Sequence, residues 1–339
     1  MLSRTLCLAA RPSGKLATMH LELQEIPLAP LLDGDVLVRN TWLSVDPSIR
    51  LRLGESAPSG YLPPLSVGEA LVGLALGTVV ESRHENFRPG DLVSHMNGYR
   101  DYATVSATAG GLGGAGTLTK IDAGDWPHQW FLGPLGSSGL TAYVGLFEVM
   151  NIRPSDTVWI SAAAGAVGSI ATQLAGHHGC TVIASAGSRL KAGHLVDALG
   201  ASRSFDYHDD DMDSLLARAA PHGIDAYFDN VGGSHFTAAL NALRPEGRVA
   251  MCGAISTYET SNTLPSNLFQ ITAKSLSIRG FRAGSFGHLY DRMRSIVGSR
   301  LADGTMIYEE SVYDGLELAS TALVDLLNGR TSGKTLCRL

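Results

Sequence analysis

The alternation of apolar and polar positions divides the chain into two parts. Up to about Trp126, short apolar runs are separated by turn pairs such as Asp33-Gly34 and Pro89-Gly90, which is typical of β-strands joined by turns. The N-terminal apolar run Leu6–Ala10 is interpreted as a first strand rather than as a targeting peptide. The first part is therefore predicted to be an irregular β domain of barrel type. Its further predicted strands are Asp35–Asn40, Gly77–Glu81, Asp91–His95 and Tyr102–Val105.

From Thr157 onward, apolar strands alternate with helical stretches. The predicted strands are Thr157–Ser161, Thr181–Ser185, Ser204–Phe205, Ala226–Asp229 and Arg248–Cys252. The predicted helices lie near Ser169–His178, Leu190–Leu199, Met212–Ala219 and Ser234–Leu243. Repeated βα units of this length predict a parallel sheet covered on both faces, and hence an α/β fold. A further helix is predicted around Leu289–Leu301, after which the segment from Met306 ends like a strand and is expected to rejoin the first domain.

Composition disfavours several classes of function. Of 339 residues, 17% are charged and 39 are glycine, against averages of about 25% and about 7%, so the composition is that of a glycine-rich enzyme. The formal charge is −6 and no basic block is long enough to follow a phosphate backbone, which makes nucleic acid a poor candidate partner. The uncharged stretch Thr157–Ser188 is interrupted by glycines and histidines too often for a membrane span.

The four cysteines give no indication of a disulfide framework. Cys7, Cys180, Cys252 and Cys337 are far apart and show no C-x-x-C spacing. This usage fits a reduced, cytoplasmic compartment.

The most informative segment is T-V-W-I-S-A-A-A-G-A-V-G-S, which starts at Thr157. A strand leads into a turn of small residues and directly into a helix, whose first amides have no internal partners and can bind a pyrophosphate. Gly165 would let the backbone approach that ligand, and Gly168 would allow close contact between helix and strand. The strand–turn–helix context favours a dinucleotide site. The alternative is a glycine pair in a sheet protein that binds no cofactor.

The end of the second strand distinguishes between the two nicotinamide dinucleotides. An NAD site usually has Asp or Glu there, about 20 residues after the glycines, to bind the ribose hydroxyls. This chain has no acid in A-G-S-R-L-K, residues 186–191. Ser188 and Lys191, with Arg189 as a further candidate, could instead hold a 2′-phosphate, which favours NADP(H). The alternative is that these cations belong to a solvated helical turn.

Several motifs together resemble the zinc-independent medium-chain dehydrogenases/reductases. They are A-A-A-G-A-V-G-S, A-G-S-x-x-K, F-D-Y at 205–207, Y-F-D-N-V-G-G at 227–233 and G-R-V-A-M-C-G-A-I-S-T-Y at 247–258. Further counterparts are L-S-V-D-P-S-I-R at 43–50, G-L-T-A-Y-V-G-L at 139–146 and S-G-K-T-L near the end. The group that they resemble most is that of the prostaglandin reductases, leukotriene B4 12-hydroxydehydrogenases and alkenal double-bond reductases.

The resemblance implies a GroES-like catalytic domain with an inserted Rossmann domain, and we expect the ranges 1–128, 129–303 and 304–339 for the two domains and the return. It also implies a set of NADP contacts. These are Gly165, Ala166, Val167 and Gly168 at the pyrophosphate, Ser188, Lys191 and Tyr207 at the 2′-phosphate, Asn230 and Val231 beside the ribose, Cys252, Gly253, Ala254 and Ile255 near the nicotinamide, and also Phe281 and Thr331. Thr331 stands where the family has an asparagine, two residues before Gly-Lys.

No metal site is predicted. Metal-dependent relatives have a catalytic cysteine and a Gly-His-Glu, where this chain has Ser44 and Val67-Gly68-Glu69, and the structural-zinc cysteines are also missing from the sequence. Without a Lewis acid, conjugate reduction becomes the easier chemistry, with charge developing on the carbonyl oxygen. Tyr258 is the candidate that donates a hydrogen bond or proton there. Its alternative role is an aromatic wall beside the cofactor.

Three departures from the family pattern concern the substrate. The family commonly has Tyr-Met after V-D-P, Gly-Trp and Gly-Met-Pro-Gly, where this chain has Ser48-Ile49, Gly98-Tyr99 and Gly136–Gly139 with two central serines. A bulkier or more polar α,β-unsaturated carbonyl compound is therefore expected, with a quinone or carbonyl reductase and an NADP-binding sensor as the alternatives. A homodimer is expected from the family, through an edge segment at Leu276–Phe281.

Overall fold

A computed structural model describes residues 1–107, 118–259 and 265–339. The chain divides into two compact units, one made of Met1–Leu132 with Glu310–Leu339 and the other of Gly133–Glu309. The ranges 1–128, 129–303 and 304–339 remain our prediction for the functional domains.

Most of the regular secondary structure in the first unit is β-strand. Strands β1 (Leu2–Leu8) and β2 (Leu21–Pro27) form an antiparallel pair. A seven-stranded sheet contains the remaining strands: β3 (Asp35–Ser44), β4 (Ala75–Ser82), β5 (Leu92–His95), β6 (Tyr102–Ser106), β7 (Thr119–Lys120), β14 (Glu310–Asp314) and β15 (Lys334–Arg338). The C-terminal segment returns to this unit, because β15 pairs with β3, and helix α8 (Ala319–Leu327) lies between the last two strands in the sequence.

The second unit contains a six-stranded parallel sheet. Its strands are β8 (Thr157–Ile160), β9 (Thr181–Ala186), β10 (Arg203–Asp206), β11 (Ile224–Asp229), β12 (Leu243–Met251) and β13 (Ser277–Gly280). They lie in the order β10-β9-β8-β11-β12-β13, and every neighbouring pair is parallel. This is the doubly wound order of a Rossmann domain, whose ligands bind beyond the carboxyl ends of the strands. The predicted fold class is confirmed.

The α-helices of this unit are α1 (Ser137–Tyr143), α2 (Ala166–His177), α3 (Arg189–Asp197), α4 (Met212–Ala219), α5 (Gly233–Ala242), α6 (Phe269–Ala273) and α7 (Tyr290–Ala302). Five of them correspond to predicted helices, whereas α1 and α6 were not predicted. Helix α2 begins three residues before the predicted Ser169. Its first turn is A-V-G, which carries little periodic signal, so only the phosphate-loop context could have moved the boundary.

The core of the second unit contains a stack of aromatic rings. Trp159 is fully buried, and its ring centroid lies 4.2 Å from that of Tyr227 and 5.7 Å from that of His235. Its indole N–H donates to Ser185 Oγ at 3.1 Å, so this large side chain leaves no unpaired polar atom behind. The stack joins β8, β11 and α5 directly below the strand ends where the candidate site lies.

None of the helices in the described ranges combines the length and the apolar character that crossing a membrane requires. All four cysteines of the chain are described, and each is a free thiol.

Candidate active site

The loop between β8 and α2 is shaped by close contact with the helix that follows it. A Cβ atom on Gly168 would lie 2.3 Å from the carbonyl oxygen of Ala162 and 2.7 Å from Cα of Ala163. A Cβ on Gly165 would meet the same oxygen at 3.3 Å. Gly165 is the N-cap residue of α2, so the amides of the first turn have no partner within the helix. The glycines therefore hold a helix start against the strand end in the form that binds a pyrophosphate.

A second polar group lies at the end of β9. Ser188 is the N-cap of α3, and its hydroxyl accepts a hydrogen bond from the backbone amide of Lys191 at 3.3 Å. The hydroxyl of Tyr207 lies 2.7 Å from the Cβ position of Gly187, the residue before Ser188. Three residues predicted at the 2′-phosphate, Ser188, Lys191 and Tyr207, are thus assembled around one strand end.

Burial shifts the pKa values of two of these residues. Burial lowers the pKa of Lys191, because its ammonium group has lost part of its hydration. A phosphate bound there would favour the charged form and oppose that shift. Burial also raises the pKa of Tyr207, which keeps its hydroxyl protonated and able to donate.

Arg189, the further candidate for the 2′-phosphate, has a different partner. Its guanidinium group forms an ion pair with Asp209 at 2.9 Å, and its side chain is 83% exposed. The carboxylate after β10 therefore already binds this cation, twenty residues further along the chain.

Two turns at the ends of β11 and β12 lie side by side. The backbone oxygen of Asp229 accepts from the amides of Cys252 and Gly253 at 2.9 and 3.0 Å. The oxygen of Asn230 accepts from the amide of Ile255 at 3.3 Å, and a Cβ on Gly232 would lie 3.2 Å from that of Ala254. The predicted ribose residues Asn230 and Val231 are therefore adjacent to the predicted nicotinamide segment Cys252–Ile255.

The hydroxyl of Tyr258 faces the backbone of this same segment. It accepts from the amide of Ala254 at 3.4 Å and lies 3.6 Å from the Cβ position of Gly253. Tyr258 follows a short 3₁₀ turn, Ile255–Thr257. Its ring thus stands next to the predicted nicotinamide residues. Its role as the catalytic residue stays a prediction.

The remaining two predicted contacts lie in different units. Phe281 follows β13 and meets the ring of Phe228 edge-on, with centroids 6.3 Å apart, so it lies at the same edge of the parallel sheet. Thr331 belongs to the first unit, where its hydroxyl accepts from that of Thr335 at 3.0 Å.

Comparison with known proteins agrees with this geometry. Residues 4–110 match the model of an N-terminal domain of oxidoreductases, and residues 166–298 match that of the zinc-binding dehydrogenases. The chain is 38% identical to a 2-alkenal reductase (NADP(+)-dependent) of Nicotiana tabacum, over 88% of this chain and 86% of the relative. It is 34% identical to an NADPH-dependent curcumin reductase of Escherichia coli, over 99% of this chain and 97% of the relative.

A solved structure gives the same result. The crystal structure of CurA in complex with NADPH from Vibrio vulnificus superposes with a TM-score of 0.90, covering 99% of this chain and 98% of that chain at 31% identity. The chain belongs to the medium-chain dehydrogenases/reductases. Within this family it lies with the zinc-independent alkenal, curcumin and prostaglandin reductases, as the sequence motifs predicted.

The positions where metal-dependent members of the medium-chain family have ligands carry other interactions here. Ser44 is buried and hydrogen-bonds to Asp46, whose carboxylate pairs with the Lys334 ammonium at 2.7 Å. Glu69 closes a turn by accepting from the amide of Ser66 at 2.9 Å. Over the described residues, no group of three or more His, Cys, Asp or Glu side chains is arranged to hold a metal ion.

One departure from the family pattern lies at a buried position. Tyr99, where the family commonly has tryptophan, is 1% exposed and has a positive φ of 54°. Burial raises the pKa of this hydroxyl well above its ordinary value, and the charge of Asp46 acts in the same direction. The hydroxyl finds no hydrogen-bond partner among the described residues.

The Ser48 side chain is half-buried and Ser138 is buried.

Sequence reasoning missed two residues at the strand ends. Ser161 and Asp229 make side-chain hydrogen bonds to the turn that contains Asn230 and Val231. The available signal was the motif Y-F-D-N-V-G-G, in which a carboxylate directly precedes a turn with two glycines. Asp and Asn side chains commonly accept from backbone amides two and three residues further on.

Proposed function

We propose that this chain is an NADPH-dependent ene reductase that reduces the double bond of α,β-unsaturated carbonyl compounds without a metal. Family membership makes it an NADP(H)-dependent oxidoreductase. The observation that carries the proposal is the group at the end of β9, where Ser188, Lys191 and Tyr207 meet and no acid stands between residues 186 and 191.

The residues present fit the cofactor. The amides at the start of α2 would bind the pyrophosphate, since Gly165 has no side chain and Gly168 lets the helix start lie close to the strand end. The turn at Asn230 and Val231 would lie beside the ribose, and Cys252–Ile255 with Phe281 would surround the nicotinamide. When bound, NADPH supplies a hydride to the β-carbon of the substrate.

The chain must then stabilise the charge that develops on the carbonyl oxygen and provide a proton for the α-carbon. We assign the first task to the Tyr258 hydroxyl, which lies beside the predicted nicotinamide segment. A phenolic hydroxyl can donate a hydrogen bond to that oxygen. The support for a substrate that is bulkier or more polar than a simple enal is the sequence departure at positions 48, 137 and 138, where this chain has serines. A cytoplasmic location and a homodimer stay part of this proposal.

The test is NADPH oxidation across a panel of enals, enones and quinones, with cofactor deuterated at the transferred position and mass analysis of the products. The expected product is a saturated C–C bond with deuterium on the β-carbon. A new hydroxyl on an intact double bond would indicate a carbonyl or quinone reductase instead. Stoichiometric NADPH binding without oxidation of any panel member would favour a binding protein and contradict the proposal.

A further inference from the structure

We infer that Asp229, Ser161 and Tyr227 form a buried positioning network that sets the cofactor turn Asn230–Gly233 relative to the neighbouring strand ends. This inference rests on the proposed function, because the turn is taken to bind the cofactor. It assigns no ligand contact to the three residues. They act through the backbone of the turn. None of them was assigned a role by the sequence motifs, which pointed only to Asn230 and Val231.

The first element of the network is a carboxylate that binds its own turn. Oδ1 of Asp229 accepts from the amides of Val231 and Gly232 at 2.9 and 2.7 Å, and from the Tyr227 hydroxyl at 2.8 Å. Asp229 is fully buried. Burial raises the pKa of this carboxyl, whereas the three donors act against that rise. A buried carboxylate with three donors on one oxygen fixes the path of the following residues more strictly than a solvated one.

The second element joins this turn to the pyrophosphate loop. Ser161, directly after β8, accepts through Oγ from the amide of Asn230 at 3.0 Å. The same Oγ lies 3.1 Å from the hydroxyl oxygen of Tyr227, whose proton is donated to Asp229. Its backbone oxygen accepts from the Asn230 side-chain amide at 2.7 Å. Ser161 directly precedes Ala162, on which Gly168 packs. Ser161 therefore hydrogen-bonds to the cofactor turn and is also the residue from which the phosphate loop begins.

The third element reaches the neighbouring strand. The backbone oxygen of Asp229 holds the amides of Cys252 and Gly253. Three adjacent strand ends, those of β8, β11 and β12, are thus connected through Asp229 and its two hydroxyl partners. A cofactor that spans these ends would lose affinity if they shifted against one another, because its contacts need their relative spacing.

A matched pair of serine variants separates positioning from general stability. Ser161→Ala removes the acceptor of the Asn230 amide. Ser185→Ala removes an equally buried acceptor, that of the Trp159 indole, and its side chain does not touch the turn. We expect similar losses of melting temperature. Ser161→Ala should raise the NADPH dissociation constant about tenfold or more, whereas Ser185→Ala should change it less than about twofold.

Two further variants test the other members of the network. Tyr227→Phe keeps the ring that stacks on Trp159 and removes the hydroxyl, so it should weaken NADPH binding in the same direction as Ser161→Ala. Asp229→Asn keeps an acceptor oxygen for the turn amides and should retain most of the affinity that Asp229→Ala loses. If Asp229→Ala fails to fold, the serine pair still decides.

The measurement is NADPH titration by fluorescence for each purified variant, together with its melting temperature and the kcat and KM values for the best panel substrate. Equal NADPH affinity of Ser161→Ala and Ser185→Ala, while the parent binds NADPH, would overturn the inference alone. A parent protein that does not bind NADPH would overturn the proposed function and the network's role with it.

Discussion

The carboxylate of Asp209 pairs with the guanidinium group of Arg189 at 2.9 Å, directly beside the residues predicted to bind the 2′-phosphate. The two cations of the A-G-S-R-L-K segment therefore have different surroundings. Arg189 is bound to an acid and largely exposed, whereas Lys191 is half-buried in the first turn of α3. Because Arg189 already has an acidic partner, we propose Lys191 rather than Arg189 as the residue that contacts the 2′-phosphate.

We expect Lys191→Ala to weaken NADPH binding by about 1.5–3 kcal/mol and to leave NADH binding nearly unchanged, because a charged hydrogen bond to the 2′-phosphate is lost. Arg189→Ala is the matched control. It should change the free energy of NADPH binding by less than about 1 kcal/mol, because this exposed side chain is paired with Asp209. Titration of each variant with both cofactors measures the two affinities. An unchanged ratio of NADPH to NADH affinity in Lys191→Ala would show that the 2′-phosphate site lies elsewhere.

Substitution of Gly168 should disrupt the phosphate loop. A Cβ atom there would overlap the Ala162 backbone at 2.3 Å, and such overpacking costs about 1–3 kcal/mol of unfolding free energy. We expect Gly168→Ala to lose NADPH affinity as well as stability. Gly176→Ala, in the same helix, is the control, because its Cβ would meet only the Gly200 oxygen at 3.7 Å. The free energy of unfolding of that variant should rise by about 0.5–1 kcal/mol, and its NADPH affinity should stay unchanged. Chemical denaturation and NADPH titration test both, and a Gly168→Ala protein with parental binding would refute the close packing.

The Tyr258 hydroxyl should affect the rate and not the affinity for NADPH. Tyr258→Phe keeps the ring, and we expect it to lower the rate of double-bond reduction by roughly 10²-fold or more, because the hydrogen-bond donor to the carbonyl oxygen is lost. The measurement is single-turnover NADPH oxidation. If Tyr258→Phe stays within about twofold of the parent while Tyr258→Ala fails, the residue is an aromatic wall and not the donor to the carbonyl oxygen.

Activity should not depend on a metal. Ser44 is occupied by its hydrogen bond to Asp46, and Val67-Gly68-Glu69 stands where metal-dependent relatives have Gly-His-Glu. We expect full turnover after exhaustive chelation and no stoichiometric zinc by elemental analysis. Loss of turnover on chelation that zinc restores would contradict this prediction.

The parallel sheet has an edge that a second copy could cover. Strand β13 pairs with β12 and is the last strand in the sheet order, and its residues are mostly exposed. Such an edge offers unpaired backbone groups, so we expect a homodimer through Leu276–Phe281. Light scattering at micromolar concentration should give twice the 35.7 kDa chain mass. A monomer mass under these conditions would argue against the dimer.

Short-range patterns predicted most of the second unit. Helix α4 runs over the predicted residues, and the other predicted helices and strands differ mainly at their ends. Helices α1 and α6 were not predicted. In the first unit the sequence indicated strands but not the pairing of β1 with β2, and it did not predict α8. Irregular β structure depends on partners far away in the chain, so local alternation identifies a strand without its neighbour.

The sequence by itself determined the parallel sheet, the glycine loop and the absence of an acid after the second strand. These features follow from apolar spacing and from residues within one βα unit. Only the tertiary structure decided that Arg189 pairs with Asp209, that Ser44 joins the Asp46–Lys334 ion pair, and that Ser161 holds the Asn230 turn. Each of these contacts joins residues brought together by the folded unit. In the last of them, β8 lies beside β11 because of the sheet order, which no local stretch of sequence specifies.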